Sequence, residues 1–287
     1  MELQHDYTIA KWANVLGVSR SGYYSWLETR EARADRHRER EKEVLEIFEQ
    51  GEGHYGAERI SGIIRENGGH ASFGVVKGIL QDRQLKSSHC TRRQRSLTDS
   101  SRSRDDRYVN LTKDLTVDRP FQVLSSDITY IRTGEGFDYL CQIRDVFTNM
   151  VLGQCQQQRM TTDLVLHTVQ AAQRRWPIPE GAVLHSDRGS QYTSKAVAIL
   201  VERLGWKQSF SRVGKPGDNA WSESFFSIIK KEIIHWRFYP TRESARQRVF
   251  EYIEMYYNRQ RKQKRLGYLS PIQYLNRWLD QNRTCVA

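Results

Sequence analysis

The chain has 287 residues and a formal net charge of +11 at pH 7, a balance that favours a polyanionic partner. Its four cysteines form no CxxC pair and have no histidine at zinc-ligand spacing, which argues against disulfides and structural zinc. The sequence contains no apolar run of membrane-spanning length and no signal-peptide core, so we expect a cytoplasmic protein.

The first 35 residues carry the pattern of a helix-turn-helix hairpin. Apolar residues at helical spacing precede a turn at Gly17, and Ser19 stands where it can cap a second helix. On that helix Arg20 and Tyr23 are candidate DNA contacts, since the second helix of such a hairpin can enter a groove. A structural or protein-docking hairpin explains the same pattern.

A second helical module is predicted over residues 36–90. A charged helix over about 29–50 acquires an apolar stripe late in its length, and two short helices then follow in helix-turn-helix order. The last of these helices carries only Lys77 and Arg83 as cations. DNA reading and a purely structural role therefore stay open as alternatives for this module.

Residues 91–118 are predicted to be a linker. Arg, Ser and Asp dominate 91–107, and almost no apolar side chain is available there to form a core. Beyond the linker the charge becomes uneven. Lys and Arg outnumber Asp and Glu by 25 to 15 in residues 119–287, against 20 to 19 in residues 1–118.

From residue 119 the sequence patterns predict an α/β domain with a mixed sheet flanked by helices. The predicted core spans 119–240, and basic C-terminal helices over 241–287 complete it. The predicted elements are strands at 123–131, 137–144, 149–156, 181–186 and 206–210, helices at 161–175 and 193–203, and a helix that carries Glu223.

Three acidic residues stand where metal ligands are commonly built. Asp127 interrupts a strand-like run, Asp187 follows an apolar strand, and Glu223 lies early in an amphipathic helix. Three carboxylates from two strands and one helix form an oxygen-rich site that suits Mg²⁺. Taken singly, each acid is also explained as a turn residue, a cap or a partner of the helix dipole.

From about Asn110 to Trp278 the chain resembles the DDE transposases of bacterial insertion sequences, whose catalytic core is similar to that of retroviral integrases. The matching stretches are RPFQVLSSDITYI, GFDYLCQIRDVFTNMVLG, HSDRGSQYTS, RVGKPGDNAWSESFFSIIKKE and FEYIEMYYNRQR…LGYLSP. Leu124 and Gln263 stand where that family usually has tryptophan and histidine.

The resemblance implies a ribonuclease-H-like fold preceded by small all-α helix-turn-helix modules. It implies that Asp127, Asp187 and Glu223 are the catalytic residues and bind two Mg²⁺ or Mn²⁺ ions. Their carboxylates are then expected within about 5 Å of one another, as two ions about 3.5–4 Å apart require. It also implies that Lys230, seven positions after Glu223, contacts DNA.

Further DNA contacts are expected around the acids and in the cation-rich stretch RQRKQKR, where five cations occur in seven residues. A solvated helix face is the alternative for that stretch. The additional candidates are Lys231, Arg188, Gln191, Lys215, Arg259, Arg261, Lys262, Lys264 and Arg265.

The leading hypothesis is a transposase that binds the terminal inverted repeats of its element and catalyses metal-dependent strand cleavage and strand transfer. A ribonuclease-H-like nuclease and a DNA-binding repressor of transposition are the alternatives. A tyrosine recombinase is disfavoured, since its Arg/His/Tyr pattern is not recognisable. Expected partners are double-stranded element ends and target DNA, at least one further copy of the chain, and an upstream-frame protein. A nucleoid-associated state is expected when DNA is bound.

Overall fold

The computed structural model describes residues 8–88, 108–212, 220–235 and 237–283. The chain divides into two compact units, one reaching to Lys86 and the other beginning at Ser87. Two predicted features lie outside the described residues, the 91–107 stretch and Lys215. None of the described helices is both long and apolar enough to cross a bilayer.

Five helices form the first unit: α1 (Ile9–Val15), α2 (Arg20–Glu28), α3 (Arg30–Gln50), α4 (Ala57–Glu66) and α5 (Phe73–Asp82). The predicted cap is present, because the Ser19 hydroxyl accepts a hydrogen bond of 3.0 Å from the Gly22 N–H. Helix α3 contacts both α4 and α5. It runs without a break through residue 35, so one helix joins the two predicted N-terminal modules.

The second unit is built on a five-stranded mixed sheet in the order β3-β2-β1-β4-β5. The strands are β1 (Val123–Thr133), β2 (Gly136–Asp145), β3 (Val151–Gln157), β4 (Val183–Ser186) and β5 (Lys207–Phe210). The β1–β2 and β2–β3 pairs are antiparallel, whereas β4 runs parallel to both β1 and β5. This arrangement confirms the predicted α/β class.

The helices of this unit are α6 (Thr162–Arg175), α7 (Lys195–Arg203), α8 (Ala220–Ile229), α9 (Arg242–Glu251) and α10 (Pro271–Arg283). Two π-helical segments extend them, Lys230–Ile234 after α8 and Tyr252–Tyr257 after α9. A short 3₁₀ turn spans Lys264–Leu266. Residues 259–265 therefore lie in the connection between α9 and α10. The prediction that they form part of a basic helix was wrong.

The two faces of the sheet are covered differently because side chains alternate along each strand. On one face Leu124 and Leu184 belong to the main core, together with residues of α6 and α7. Gly153 brings β3 close to α6, since a Cβ there would meet the Ala172 nitrogen at 2.7 Å. On the other face Val123 and Val183 pack with Trp221 of α8.

Cys141 is buried in the main core, and Cys155 is half-buried beside it. Both thiols are free. Burial raises the pKa of the Cys141 thiol to about 11, so the side chain is neutral at physiological pH. Cys141 is thus a small core residue, and Cys155 packs against the same core.

Candidate active site

The register of the parallel strands brings two of the three acids together. Strands β1 and β4 pair with Ser125 beside His185. Two residues further along the chain from each partner stand Asp127 and Asp187. Because side chains of a strand point to alternate faces, a step of two residues returns Asp127 to the face of Ser125. Asp187 stands one residue past the end of β4, near enough for its charge to act on Asp127.

Asp127 interacts electrostatically with the other two acids. Burial, and then the charges of Asp187 and Glu223, raise the pKa of the Asp127 carboxyl to about 7. Two groups oppose this rise: the N–H of Ile128, which donates to Asp127 Oδ1 at 2.8 Å, and the nearby charge of Lys230. The three acids and Lys230 thus belong to one electrostatic cluster.

Asp187 stands at the beginning of the turn that follows β4. The residue keeps exposed surface, yet the surrounding protein still raises the pKa of its carboxyl. The N–H of Gly189 donates to Asp187 Oδ1 at 3.0 Å and opposes that rise. A Cβ at Gly189 would come within 3.1 Å of Asp187 Oδ1, so glycine lets the turn close around the carboxylate.

Helix α8 holds Glu223 over the same face of the sheet. Trp221 packs edge-on against His185, with 6.0 Å between ring centroids, and its carbonyl accepts a hydrogen bond from Arg144 on β2. Phe225, one turn further, is completely buried. These contacts fix the first turn of the helix, where Glu223 is exposed.

A buried hydroxyl pair connects the Asp187 turn to β1. The Tyr192 hydroxyl and Ser126 Oγ share a hydrogen bond of 2.9 Å, and Ser126 also donates to the Gln142 carbonyl at 2.8 Å. Ser126 immediately precedes Asp127, and Tyr192 lies in the HSDRGSQYTS stretch that begins the Asp187 turn. This connection helps to fix the positions of Asp127 and Asp187 relative to one another.

The surroundings of the acids are polar, and their side chains are of the chemical type that binds a hydrated cation. Gln142 is paired directly with Asp127 across the strands, and it is buried together with Ser125 and Ser222. Side-chain polar atoms of these three residues have no hydrogen-bond partner within the described structure. Buried polar atoms normally bind protein or water. Carboxylate, amide and hydroxyl oxygens are the donors that a hard divalent cation takes.

The described residues do not, however, present a preformed ion site made of three or more His, Cys, Asp or Glu side chains. The expected spacing of about 5 Å between carboxylates stays a prediction.

Comparison with known proteins identifies the family. Two models, each described as Integrase core domain, match residues 117–216 and 223–279. The chain is 35% identical over 268 residues to the Insertion element IS600 uncharacterized 31 kDa protein of Shigella sonnei, covering 92% of this chain and 97% of that protein. It is 33% identical over 277 residues to Transposase InsF for insertion sequence IS3A of Escherichia coli (strain K12), with 96% of each chain covered. The chain belongs to the insertion-sequence transposases with an integrase core.

Membership makes the chain a DNA transposase, and hence a polynucleotidyl transferase, and implies in general both DNA binding and a divalent metal cofactor. The fold is the ribonuclease-H-like α/β type that the sequence predicted. Among solved structures, a similar chain occurs in the CryoEM structure of simian T-cell lymphotropic virus intasome in complex with PP2A regulatory subunit B56 gamma. The TM-score is 0.40 with 14% identity, covering 68% of this chain and 65% of that chain.

Among the described residues predicted to contact DNA in the transposase, Lys230 is coupled electrostatically to an acid. It is half-buried at the start of the π-helical segment after α8, and its charge acts on Asp127. Lys231 follows it and is also half-buried. Arg188 instead donates to the carbonyls of Ser211 and Tyr108, and Gln191 to that of Met160. These last two side chains support the Asp187 turn from inside.

The basic segment, residues 259–265, does not form the continuous cationic surface that the sequence predicted. Arg261 is only 2% exposed and makes a bidentate ion pair with Glu232, with Nη2 2.6 Å from Oε1. Tyr252 donates to the other oxygen of Glu232 at 2.6 Å. Its guanidinium is therefore buried in an ion pair inside the protein, and its predicted contact with DNA stays a prediction.

The other cations of the basic segment lie nearer to the surface. Lys264 and Arg265 are exposed, and Arg265 also donates to an amide oxygen at 3.3 Å. Arg259 donates to a carbonyl at 3.1 Å and Lys262 to an amide oxygen at 2.7 Å. The oxygens that accept these bonds belong to Asn149, Glu254 and Gln273.

In the first unit of the transposase the two candidate contacts differ in exposure. Arg20 is exposed at the first turn of α2, whereas Tyr23 is half-buried and stacks on Trp26 with 6.2 Å between ring centroids. Whether either side chain meets DNA stays a prediction.

Sequence reasoning missed the groups that support the site, namely Tyr192, Ser126, Arg144 and the Arg261–Glu232 pair. The only signal for the first two was their position inside the acid-bearing stretches. Leu124, where the family usually has tryptophan, is completely buried, and Gln263 accepts a bond of 3.0 Å from Asn149.

Proposed function

We propose that Asp127, Asp187 and Glu223 form the catalytic acid set of this transposase and bind two Mg²⁺ or Mn²⁺ ions. The reaction is cleavage and strand transfer at the terminal inverted repeats of the element. One observation supports the proposal: the charges of Asp187, Glu223 and Lys230 all act on Asp127, which stands two residues past the end of the β1–β4 ladder.

When bound, the ions supply activation of the attacking oxygen and stabilisation of the leaving oxygen. The chain contributes pre-oriented ligands. The N–H of Ile128 holds Oδ1 of Asp127, and the N–H of Gly189 holds Oδ1 of Asp187. Each bond restrains the rotation of its carboxylate. Glu223 adds an exposed carboxylate from α8.

Lys230 is proposed to contact the phosphate next to the reacting bond. Its position beside Asp127 makes it a counter-charge to the acids before DNA arrives. Burial lowers the pKa of its ammonium group, while the charge of Asp127 opposes that shift. A partly desolvated ammonium group binds a phosphate oxygen more strongly than one in open water.

The proposed function also requires more than one chain. One acid set processes one strand end, but a mobile element has two ends, so at least two protomers must act together. Closed symmetric assemblies are the usual solution. The proposal includes a role in the cytoplasm, with the upstream-frame protein as a further partner in recognising the ends. Mixing a Glu223→Gln chain with a chain lacking residues 1–90 tests cooperation, since recovered strand transfer requires two protomers on one DNA complex.

The acid assignment is tested by replacing Asp127 or Asp187 with Asn, or Glu223 with Gln, and measuring strand transfer of element-end DNA with Mg²⁺ and with Mn²⁺. We expect each variant to lose more than about 100-fold in rate, since losing even an outer partner of a ligand typically costs 10- to 100-fold. Binding of end DNA should persist. The matched control is Asp163→Asn, at an exposed aspartate in the first turn of α6. Full strand transfer by Asp187→Asn sinks the assignment.

A further inference from the structure

Two aromatic side chains stand exposed on the β1–β2 hairpin. Tyr130 is 47% exposed and Phe137 is 48% exposed. Their rings meet edge to face with 5.2 Å between centroids. Such a cross-strand pair stabilises a sheet. Yet half of the surface of each side chain stays open to solvent, and adjoining exposed apolar groups mark interaction sites. We call this pair the aromatic platform.

The aromatic platform lies close to the acid set. Tyr130 is three residues beyond Asp127 on β1, about 10 Å along the strand at the usual rise, and this odd step places its side chain on the other face of the strand. Lys230 connects the two places, since its Nζ lies 5.7 Å from the Tyr130 ring centroid and its charge acts on Asp127. A ligand with a reacting phosphate at the acids therefore extends across Lys230 onto the platform.

The aromatic rings and cations of this surface indicate the class of ligand that it binds. Arg132, also exposed, adds a second cation on the same strand. Flat apolar rings beside cations match a chain of alternating planar bases and phosphates. Inside a duplex both faces of a base are covered by its neighbours, so only an unpaired base can offer a face for stacking.

We infer that the aromatic platform stacks an unpaired base of the DNA end, one to three nucleotides from the phosphate held at the acid set. The upper figure follows from about 10 Å of strand and about 3.4 Å per stacked nucleotide. Lys230 neutralises a phosphate between the base and the reacting bond. The inference rests on the proposed function, because the acid set defines where the reacting phosphate lies.

The test uses the full chain with Asp187→Asn, so that binding is measured without cleavage. Two end substrates are compared, one fully paired and one whose last three nucleotides are unpaired. Adding Tyr130→Ala should weaken binding of the unpaired end by about 5- to 150-fold, the range for one stacked base, and leave binding of the paired end unchanged. Tyr130→Trp should retain the preference. Phe250→Ala, at an aromatic residue 54% exposed on α9, is the control and should change neither affinity.

A crosslink locates the base directly. Iodouracil is placed at each of the three terminal positions in turn, irradiated in the complex, and the attached residue is identified by mass spectrometry. Attachment to Tyr130 or Phe137 supports the inference. Attachment only elsewhere overturns it, as does an equal loss of affinity for paired and unpaired ends in Tyr130→Ala. These outcomes are separate from the proposed function, which fails only if Asp187→Asn retains strand transfer.

Discussion

The acid site and the basic segment concentrate charge in opposite ways. The acids Asp127, Asp187 and Glu223 are far apart along the chain, yet strand pairing and the packing of α8 bring Asp187 and Glu223 near enough for their charges to act on Asp127. The basic segment has five cations within seven residues, but its central one, Arg261, turns inward to Glu232. The density of charged residues along a sequence therefore predicts the charge of a protein surface less well than the secondary-structure element that carries each residue.

The difference has a physical cause. A strand fixes the direction of each side chain, and the pairing of β1 with β4 brings the Asp187 turn near Asp127. A connection between helices fixes no common direction, and each cation there turns to the nearest oxygen. Arg261 forms an ion pair with the carboxylate of Glu232 in the protein interior, where an unpaired charge would be costly, and Tyr252 donates a hydrogen bond to the same carboxylate.

The largest effect should come from breaking the buried pair. Arg261→Met leaves the Glu232 carboxylate buried without its counter-charge, which we expect to cost about 3–5 kcal/mol of unfolding free energy. Urea unfolding measures the loss. The double variant Glu232→Gln with Arg261→Met should recover part of it, because no isolated charge remains. If the single variant is as stable as the parent chain, Arg261 is not the structural residue described.

The second effect is a dependence of stability on pH that originates at Asp127. Folding raises the pKa of this carboxyl from its ordinary value of 3.8 to about 7. Between these values the folded, metal-free protein keeps a proton that the unfolded chain has released. Stability therefore falls as pH rises from about 4 to about 7, by at most about 1.4 kcal/mol per pH unit from this group.

Asp127→Asn should flatten that fall, since the amide does not titrate but can still accept the Ile128 N–H. Thermal unfolding of both proteins in a chelator, at several pH values from 4 to 8, gives the comparison. Asp163→Asn should keep the slope of the parent chain. An unchanged slope in Asp127→Asn means that Asp127 is ionised throughout this range and is not under electrostatic stress.

The sequence predicted the elements and the acids better than the contacts that support them. Helix α6 begins and ends within one residue of its predicted limits, because apolar periodicity is a local property that sequence displays directly. The three acids were singled out by their positions on the elements together with the family resemblance of the stretches around them. The inward turn of Arg261 depends on Glu232, 29 residues away, and no local pattern encodes that pairing.

A smaller effect is expected from the link between the Asp187 turn and β1. Tyr192→Phe removes a hydroxyl that shares a buried hydrogen bond with Ser126, while Ser126 keeps its bond to the Gln142 carbonyl. We expect a loss of about 0.5–1.5 kcal/mol in stability, the usual range for one hydrogen bond. Tyr274→Phe, at a half-buried tyrosine of α10, is the control and should lose less.

Strand transfer sharpens this result. If the hydroxyl only stabilises the fold, the Tyr192→Phe rate under conditions where the protein is fully folded should equal that of the parent chain. A reduced rate of strand transfer with unchanged binding of end DNA shows that the Tyr192–Ser126 hydrogen bond positions Asp127 relative to Asp187. Equal rates contradict that role.

The smallest effect concerns the exposed part of the basic segment. Lys264→Gln and Arg265→Gln together should change stability by no more than about 0.5 kcal/mol, since both side chains are exposed. If both contact phosphates, the plot of log affinity against log salt should become shallower by about 0.9 for each lost contact. Arg261→Met should leave that slope unchanged, because an enclosed guanidinium releases no counterion. If the parent chain, the double variant and Arg261→Met all give the same slope, DNA does not bind along the basic segment. If Arg261→Met lowers the slope as much as the double variant does, buried and exposed cations of this segment do not differ in DNA binding.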